Sequence, residues 1–274
     1  MTFDKLERFF MKTVAFHTLG CKVNTYETEA MQQLMESAGY RCVEFGERAD
    51  VYIVNTCSVT NIADRKSRQM LHRARKMNEN AIVVAAGCYV ESAKNKIDED
   101  LSIDIIVGNN NKNDIVNIIN EYLQDKIKNK FIIDINKETE YEEFNISKIN
   151  DHTRAFIKVQ DGCNQFCSYC IIPFTRGRVR SRKMENIIDE VKSLSASGYK
   201  EIVLTGIHLS SYGVDFLDES YNKRMEKLTQ TEESDEEFVT KNELLCLIEN
   251  IANIEGIERV RIGSLEPRII QENF

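Results

Sequence analysis

The chain has 274 residues, enough for one large or two ordinary domains, and 42% of them are hydrophobic and 29% charged, as in soluble globular proteins. No stretch approaches the roughly 20 consecutive apolar residues of a membrane span, and the N-terminus lacks a signal peptide's apolar run. We therefore expect a cytoplasmic protein with no membrane partner. The net charge of -8 argues against wholesale nucleic-acid binding but leaves room for local basic patches. Eight cysteines in a reducing compartment indicate metal binding or catalysis more than disulfides.

The first 125 residues alternate between short β-branched apolar segments and helical patterns. The strands predicted from this pattern are 13–18, 50–55, 81–86 and 104–107. The predicted helices are 24–38, 61–78, 91–97 and 112–124. Such alternation predicts an α/β fold in which helices cover the faces of a mostly parallel sheet. We place this domain at 13–125.

Residues 126–150 are polar and irregular and are predicted to be a linker. A second α/β domain is then expected over 151–274. Its predicted strands are 155–160, 201–205 and 258–262, and its predicted helices are 184–197 and 241–253. Within it, residues 215–238 read as an acidic, flexible insertion.

Three cysteines of the first domain, Cys21, Cys57 and Cys88, each follow a predicted strand directly. The carboxyl ends of parallel strands share one edge, where open α/β sheets bind ligands, so the three thiols are expected to converge. Buried core cysteines are the alternative, since free cysteine is among the most buried residue types. Cys42 and Cys246 lie in apolar segments and fit that alternative. For the other three we favour a shared metal or cluster site.

The second domain carries Cys163, Cys167 and Cys170 just after its first predicted strand, where Gly162 allows a tight turn. Three thiolates on a four-iron cubane leave one iron without a protein ligand, and an open position is what a catalytic metal centre needs. A zinc site completed by His152 is the alternative. It is disfavoured because His152 precedes the strand and because this spacing is unusual for zinc.

The run DGCNQFCSYC, with Tyr169 before its third cysteine, resembles the signature of radical S-adenosylmethionine (SAM) enzymes. Together with TLGCKVNTYE, NTCSVTNIADRKSRQ, AAGCYVE and EIVLTGIHLSSYG, it resembles the methylthiotransferases, most of all those acting on N6-threonylcarbamoyladenosine in tRNA. The resemblance implies a methylthiotransferase N-terminal domain followed by the first part of a radical SAM (βα) partial TIM barrel.

The resemblance also implies cofactors and a reaction. Two 4Fe–4S clusters are expected, an auxiliary one on Cys21, Cys57 and Cys88 and a SAM-binding one on Cys163, Cys167 and Cys170. One SAM would methylate a sulfur at the auxiliary cluster, and a second would supply the radical that removes hydrogen from carbon 2 of the adenine. The expected SAM contacts are Tyr169, Thr205 and Gly206. The implied partners are the tRNA substrate and a reduced flavodoxin or ferredoxin as electron donor.

Two basic stretches, 65–76 and 176–183, fit an RNA partner because they lie near the cysteines of a chain that is acidic overall. Such runs are more often solvated surfaces. The residues expected to bind RNA are Arg65, Arg68, Arg75, Arg176, Arg178, Arg180 and Arg182. His17 and His208 also flank the sites, but we assign neither a catalytic role.

Other functions stay open at this point. Related enzymes modify isopentenyladenosine in tRNA or an aspartate of a ribosomal protein, and the non-enzyme alternatives are a two-cluster electron carrier and a structural zinc protein. The chain stops soon after RIGSLEP, so by the family pattern it resembles a C-terminally truncated form that is inactive alone. Met11 would be a more family-like start than Met1.

Overall fold

The computed structural model describes residues 12–93, 96–125, 127–144, 154–217 and 242–270. The chain divides into two compact units. The first unit takes in Met1–Glu138, Glu142–Ile146 and Gln165–Gly177. The second takes in Thr139–Tyr141, Ser147–Asn164 and Arg178–Phe274.

The first unit contains one parallel sheet with six described strands. They are β1 (Thr13–Thr18), β2 (Arg41–Val43), β3 (Val51–Thr56), β4 (Ile82–Gly87), β5 (Ile105–Val107) and β6 (Asn129–Phe131). Their order across the sheet is β2-β1-β3-β4-β5-β6, and neighbouring strands are parallel throughout. The strand order therefore reverses between β1 and β3, which makes that position the topological switch point of the sheet.

Helices cover both faces of this sheet. They are α1 (Lys22–Ser37), α2 (Asn61–Met77), α3 (Cys88–Ser92) and α4 (Ile115–Asp125), and the short helix α5 (Ile172–Thr175) belongs to the same unit. Alternate residues of β3 show the two faces: Ile53 packs with Met31 of α1, whereas Val54 packs with Leu71 of α2. Because both faces are covered, every residue of β3 and β4 is buried, as in parallel sheets generally.

The second unit contains a four-stranded sheet and two described helices. The strands are β7 (Ala155–Asp161), β8 (Arg180–Ser181), β9 (Glu201–Gly206) and β10 (Arg259–Ile262), and the helices are α6 (Met184–Ala196) and α7 (Glu243–Ala252). The order is β10-β9-β7-β8, with β8 antiparallel to β7 and the other pairs parallel. Most of the acidic insertion expected at 215–238 lies outside the described residues. Within the described residues, none of the helices combines the length and apolar character needed to span a bilayer.

The structure confirms the α/β class and the parallel first sheet, and it differs from the sequence prediction in several elements, among them the short β8 and α5, which were not predicted. The strands β2 and β6 were not predicted, and β6 lies inside 126–150, the expected linker. Both are three-residue strands at the edges of the sheet, where side chains such as Lys130 stay partly exposed, so they lack a continuous apolar run. The helix expected at 91–97 instead begins at Cys88 and ends at Ser92.

Candidate functional site

The thiols of Cys21, Cys57 and Cys88, called here the first triad, follow the neighbouring strands β1, β3 and β4. Cys21 is the N-cap of α1, Cys57 lies in the turn after β3, and Cys88 begins α3. All three thus lie at the carboxyl edge of the sheet, at and beside its switch point, where open parallel sheets bind ligands. The placement at equivalent turns agrees with the sequence pattern and is not expected for ordinary core cysteines.

The backbone turns of the first triad approach each other closely at two glycines. Gly20 has a φ of +100°, and a Cβ there would lie 2.8 Å from both Cβ and Sγ of Cys57. Gly87 has a φ of +96°, and a Cβ there would lie 2.9 Å from the Thr56 carbonyl oxygen. Only glycine fits both the backbone angle and the space at these positions. The turn that carries Cys21 therefore packs directly on Cys57.

Two polar side chains tie the three turns together. Asn24 Nδ2 donates hydrogen bonds to the carbonyl oxygens of Leu19 (2.6 Å) and Thr56 (2.9 Å). Thr56 Oγ1 donates to the Ala86 carbonyl oxygen (2.5 Å) and accepts from the Tyr89 backbone N–H (3.2 Å). These bonds span β1 to β3 and β3 to β4, so they fix the relative positions of the turns that carry the thiols.

The thiols of the first triad interact electrostatically. Burial raises the pKa of the Cys57 thiol; the backbone N–H of Val59 and the Arg176 guanidinium lower this pKa, and the neighbouring Cys88 and Cys21 thiols raise it. Cys57 and Cys88 are only 6% and 3% exposed, whereas Cys21 is exposed. A set of three soft sulfur donors suits iron–sulfur clusters, zinc or copper(I). Binding of any of these would stabilise thiolates that burial disfavours.

In the described part of the chain, no three His, Cys, Asp or Glu side chains converge closely enough to hold one metal ion. The donor chemistry of the first triad is that of three soft sulfur ligands at one edge of the sheet, and three thiolates on a four-iron cubane would leave one iron without a protein ligand.

The second cysteine group has members in both units. Cys163 follows β7 in the second unit and is buried, and the preceding Gly162 has a φ of +70°. Cys167 and Cys170 lie in the first unit, where the Cys170 N–H donates to the Cys167 carbonyl oxygen (2.9 Å). Their thiols are exposed and partly exposed respectively. Between Cys163 and Cys167 in sequence, Phe166 has a φ of +46°, and strained non-glycine backbone of this kind clusters at functional sites.

In the second unit, Gln160 connects the turn of Cys163 with the turn that follows β9. Its Nε2 donates to the carbonyl oxygens of Asp161 (2.7 Å) and Gly162 (2.8 Å), and its Oε1 accepts from the His208 N–H (2.8 Å). Gln160 is fully buried, so it has no role at the surface. Gln160 was not among the residues predicted from the sequence, although an uncharged polar residue near the end of an apolar strand is a usable signal.

A cavity of about 510 Å³ lies beside the first triad within the first unit. Its wall includes the residues next to three cysteines: Ser58, Tyr89 and Tyr169. Arg68 also lines it, and its guanidinium carbon lies 5.6 Å from the centroid of the Tyr89 ring. The Tyr169 side chain is 91% exposed. This volume is in the range of small-molecule sites, and the lining offers aromatic surface and positive charge.

The basic residues of α2 divide into two kinds. Arg65 and Arg68 are exposed and stay candidates for RNA contact. Arg75 is half-buried, pairs with Asp104 and donates to the Ala81 carbonyl oxygen (2.8 Å). Arg75 therefore braces the end of its own helix, which corrects the expectation that its guanidinium faces RNA.

Three arginines of the stretch 176–183 are buried, and this corrects the expected RNA contacts at Arg176, Arg180 and Arg182. Arg176 is bound to Glu27, and Arg182 is bound to Glu190. The guanidinium of Arg180 donates to the Arg178 carbonyl oxygen (3.2 Å) and lies 3.9 Å from an Asp161 carboxylate oxygen. Of the four arginines in this stretch that were expected to bind RNA, only Arg178 is exposed.

We expect Gly20→Ala to destabilise the first triad beyond the effect of backbone strain alone. Gly39→Ala is the matched control, because Gly39 has a similar φ of +88° but no atom within 4 Å of its Cβ position. Both variants should lose about 1–3 kcal/mol of unfolding free energy from the left-handed backbone. Only Gly20→Ala should also lose iron from the first triad, because its methyl group displaces Cys57. Urea denaturation and iron assays measure the two effects, and equal iron retention in both variants would refute the role of Gly20.

Comparison with known proteins identifies two matched regions. Residues 13–108 match the family described as "Uncharacterized protein family UPF0004", and residues 157–228 match the radical SAM superfamily. The chain is 41% identical over 256 residues to "Threonylcarbamoyladenosine tRNA methylthiotransferase MtaB" of Bacillus subtilis, covering 93% of this chain and 52% of the relative. The protein of the same name from Aquifex aeolicus is 38% identical, covering 92% of this chain and 56% of the relative.

A solved structure shows the same fold at low sequence identity. The radical S-adenosylmethionine methyltransferase TsrM from Kitasatospora setae, solved with tryptophan substrate and a SAM analogue, matches with a TM-score of 0.51 and 15% identity. The match covers 92% of this chain and 59% of that chain. The present chain thus spans about half the length of the curated relatives it matches.

Proposed function

Because the chain belongs to the radical SAM methylthiotransferases, we propose that it acts in transferring a methylthio group to carbon 2 of N6-threonylcarbamoyladenosine beside the anticodon of tRNA. The observation that carries this proposal is the first triad: three thiols at the carboxyl ends of the adjacent strands β1, β3 and β4. A radical SAM enzyme that only cleaves SAM needs no such second set of thiols. A sulfur-inserting enzyme needs a place to hold the sulfur.

The cofactors in this proposal are SAM and two 4Fe–4S clusters. Cys21, Cys57 and Cys88 would hold the auxiliary cluster, and Cys163, Cys167 and Cys170 would hold the SAM-binding cluster. Support comes from the donor set: each group offers three thiols, so each leaves one iron open to a non-protein ligand. When bound, the clusters supply the electron that cleaves SAM and the site that carries the sulfur.

The residues of the chain itself would bind and orient SAM. Thr205 and Gly206 end β9, which is paired in parallel with β7, so they lie at the same edge as the turn of Cys163. Gln160 stabilises the backbone at this edge through its hydrogen bonds to the turn of Cys163 and to the turn after β9. Tyr169 offers an exposed ring that can stack on an adenine. We propose Tyr169, Thr205 and Gly206 as SAM contacts.

The substrate in this proposal is tRNA, held in part by surface arginines. Arg65, Arg68 and Arg178 are exposed and can neutralise backbone phosphates. The cavity beside the first triad adds Tyr89, over whose ring Arg68 lies, and unstacked RNA bases bind on such aromatic and guanidinium surfaces. By family resemblance, a reduced flavodoxin or ferredoxin would donate the electron.

The direct test is nucleoside mass spectrometry of tRNA from cells that lack the gene. We expect 2-methylthio-N6-threonylcarbamoyladenosine to disappear while its unmethylthiolated precursor accumulates. The gene carrying Cys42→Ala should restore the modification as well as the unchanged gene does, because Cys42 lies in the edge strand β2 and outside both cysteine groups. An unchanged level of the methylthio nucleoside in the deletion would overturn the substrate assignment. Loss of a methylthio group from isopentenyladenosine instead would point to the related tRNA activity.

A further inference from the structure

A side-chain amide links Cys21 to Arg176. Asn24 Oδ1 lies 4.0 Å from Cys21 Sγ and accepts a 2.6 Å hydrogen bond from Arg176 Nη2. The same amide holds the turn before Cys57 through its Nδ2 and the Thr56 carbonyl oxygen. Asn24 is 1% exposed, so water does not compete for these bonds. Asn24 thus links the Arg176 guanidinium to two turns of the first triad.

A second amide links Cys88 to the residue just before Arg176. Asn109 Nδ2 lies 3.7 Å from Cys88 Sγ and donates a 2.7 Å hydrogen bond to the Thr175 carbonyl oxygen. Its backbone N–H donates to Glu91 Oε1 (3.0 Å), which fixes Asn109 in place. Two consecutive residues, Thr175 and Arg176, therefore each hold an amide that also contacts a cysteine of the first triad.

The Arg176 guanidinium is itself held firmly. Its Nη1 donates to Glu27 Oε1 (2.9 Å) and its Nη2 lies 3.2 Å from Glu27 Oε2. Lys112 pairs with the same carboxylate, and all three side chains are at most 1% exposed. A buried charge is costly unless a partner of opposite charge forms well-aligned hydrogen bonds with it. A guanidinium that binds a carboxylate through two nitrogens is restricted to one orientation. Arg176 is therefore a fixed positive charge and not a mobile surface group.

We propose that Thr175 and Arg176 are positioning residues of the first triad: through Asn109 and Asn24 they hold Cys88 and Cys21, and Arg176 places a positive charge beside the bound cluster. The inference rests on the proposed function, which places a cluster on the first triad. It adds that the segment Gln165–Gly177, which carries Cys167 and Cys170, is a structural part of the auxiliary site. Hydrogen bonds and charge near a cluster set its reduction potential, so removing this positive charge should lower the potential.

The test uses the 274-residue chain with Cys163, Cys167 and Cys170 changed to Ala, so that any cluster bound is the one on the first triad. Arg176→Gln is introduced into this background, and the midpoint potential is measured by redox titration followed by electron paramagnetic resonance. We expect the potential to fall by at least about 59 mV, a tenfold change in a one-electron equilibrium. Arg176→Lys keeps the charge and should recover most of that shift.

Lys112→Gln is the matched control, because it removes an equally buried positive charge from the same Glu27 carboxylate. It should shift the potential much less than Arg176→Gln, since no described bond joins Lys112 to the amide that contacts Cys21. Asn109→Ala is the second variant: it keeps all charges, and we expect at least a threefold faster loss of iron to a chelator. Circular dichroism melting checks that each variant folds.

The outcomes separate this inference from the proposed function. If the background protein binds no iron, the auxiliary cluster and with it the proposed function are contradicted. If it binds iron but Arg176→Gln and Lys112→Gln give equal potentials, and Asn109→Ala loses iron at the background rate, the positioning role is contradicted and the proposed function stands. If Arg176→Gln does not fold, the iron-release rate of Asn109→Ala decides the question.

Discussion

Reconstituted without oxygen, the chain is expected to bind about eight iron atoms, and changing Cys163, Cys167 and Cys170 together to Ala is expected to remove half of them. The reason is that the first triad lies within one unit and is tied together by bonds that involve none of the three changed residues. Its cluster should therefore survive the loss of the other. Iron and sulfide assays per chain, together with Mössbauer spectra, measure the result.

The remaining cysteines provide the control for the iron count. Cys42 lies in β2 and Cys246 lies in α7, so neither belongs to the two cysteine groups, and burial raises the pKa of Cys42 to about 12. Changing both to Ala should leave about eight irons bound, as in the unchanged chain. Loss of all iron, or of none, on removal of the second cysteine group would contradict two independent sites.

The second large effect is expected for Cys57→Ala. This variant should still cleave SAM to 5′-deoxyadenosine at close to the normal rate, because none of the SAM contacts proposed here lies in the turn after β3. Formation of the methylthio nucleoside should fall by more than about 100-fold, since the loss of a direct ligand exceeds the 10–100-fold effects of outer-shell partners. Both products are quantified by mass spectrometry on one sample, with a preparation that methylthiolates tRNA as the reference.

A folding defect must be separated from the loss of a ligand, because removing a ligand can unfold the domain that it organises. Cys57 is 6% exposed and packs against Gly20, so Ala leaves only a small void there. Retained iron and the thermal midpoint are therefore measured on the same sample. Methylthio product from a variant that keeps half its iron would disprove the auxiliary role. Loss of both products with the SAM-binding cluster still loaded would show that the two sites depend on each other.

The sequence was most informative where hydrophobic periodicity and turn chemistry coincide. The strands β1, β3, β4 and β5 were predicted to within one residue at each end, because buried parallel strands are continuous β-branched runs bounded by turns. The location of the first triad follows from that prediction, since parallel strands place their carboxyl ends at one edge. The short edge strands were missed because half-exposed residues carry no such run.

The burial of three arginines in the basic stretch 176–183 could not be predicted from the sequence. A run of arginines usually covers a solvated face, and nothing local distinguishes one that is buried. The carboxylate that binds Arg176 is Glu27, 149 positions away, whereas the one that binds Arg182 is Glu190, only eight positions away. Long-range ion pairs of the first kind depend on the completed fold. Only the structure therefore separates Arg178, which is exposed, from its buried neighbours.

The discontinuity of the first unit has a consequence for how the chain matures on the ribosome. The unit takes in the residues up to Glu138 and the segment Glu142–Ile146, and it is completed by Gln165–Gly177, which brings Thr175 and Arg176. The roughly 40 residues from Thr139 to Gly177 take about 2–8 seconds to synthesise at 5–20 residues per second. During that interval Asn24 lacks its hydrogen bond from Arg176, Asn109 lacks its hydrogen bond to the Thr175 carbonyl oxygen, and the Glu27 carboxylate lacks the Arg176 guanidinium. We therefore expect the nascent sheet to pass through a stage in which the turns that carry its thiols have formed but lack their hydrogen bonds with Thr175 and Arg176.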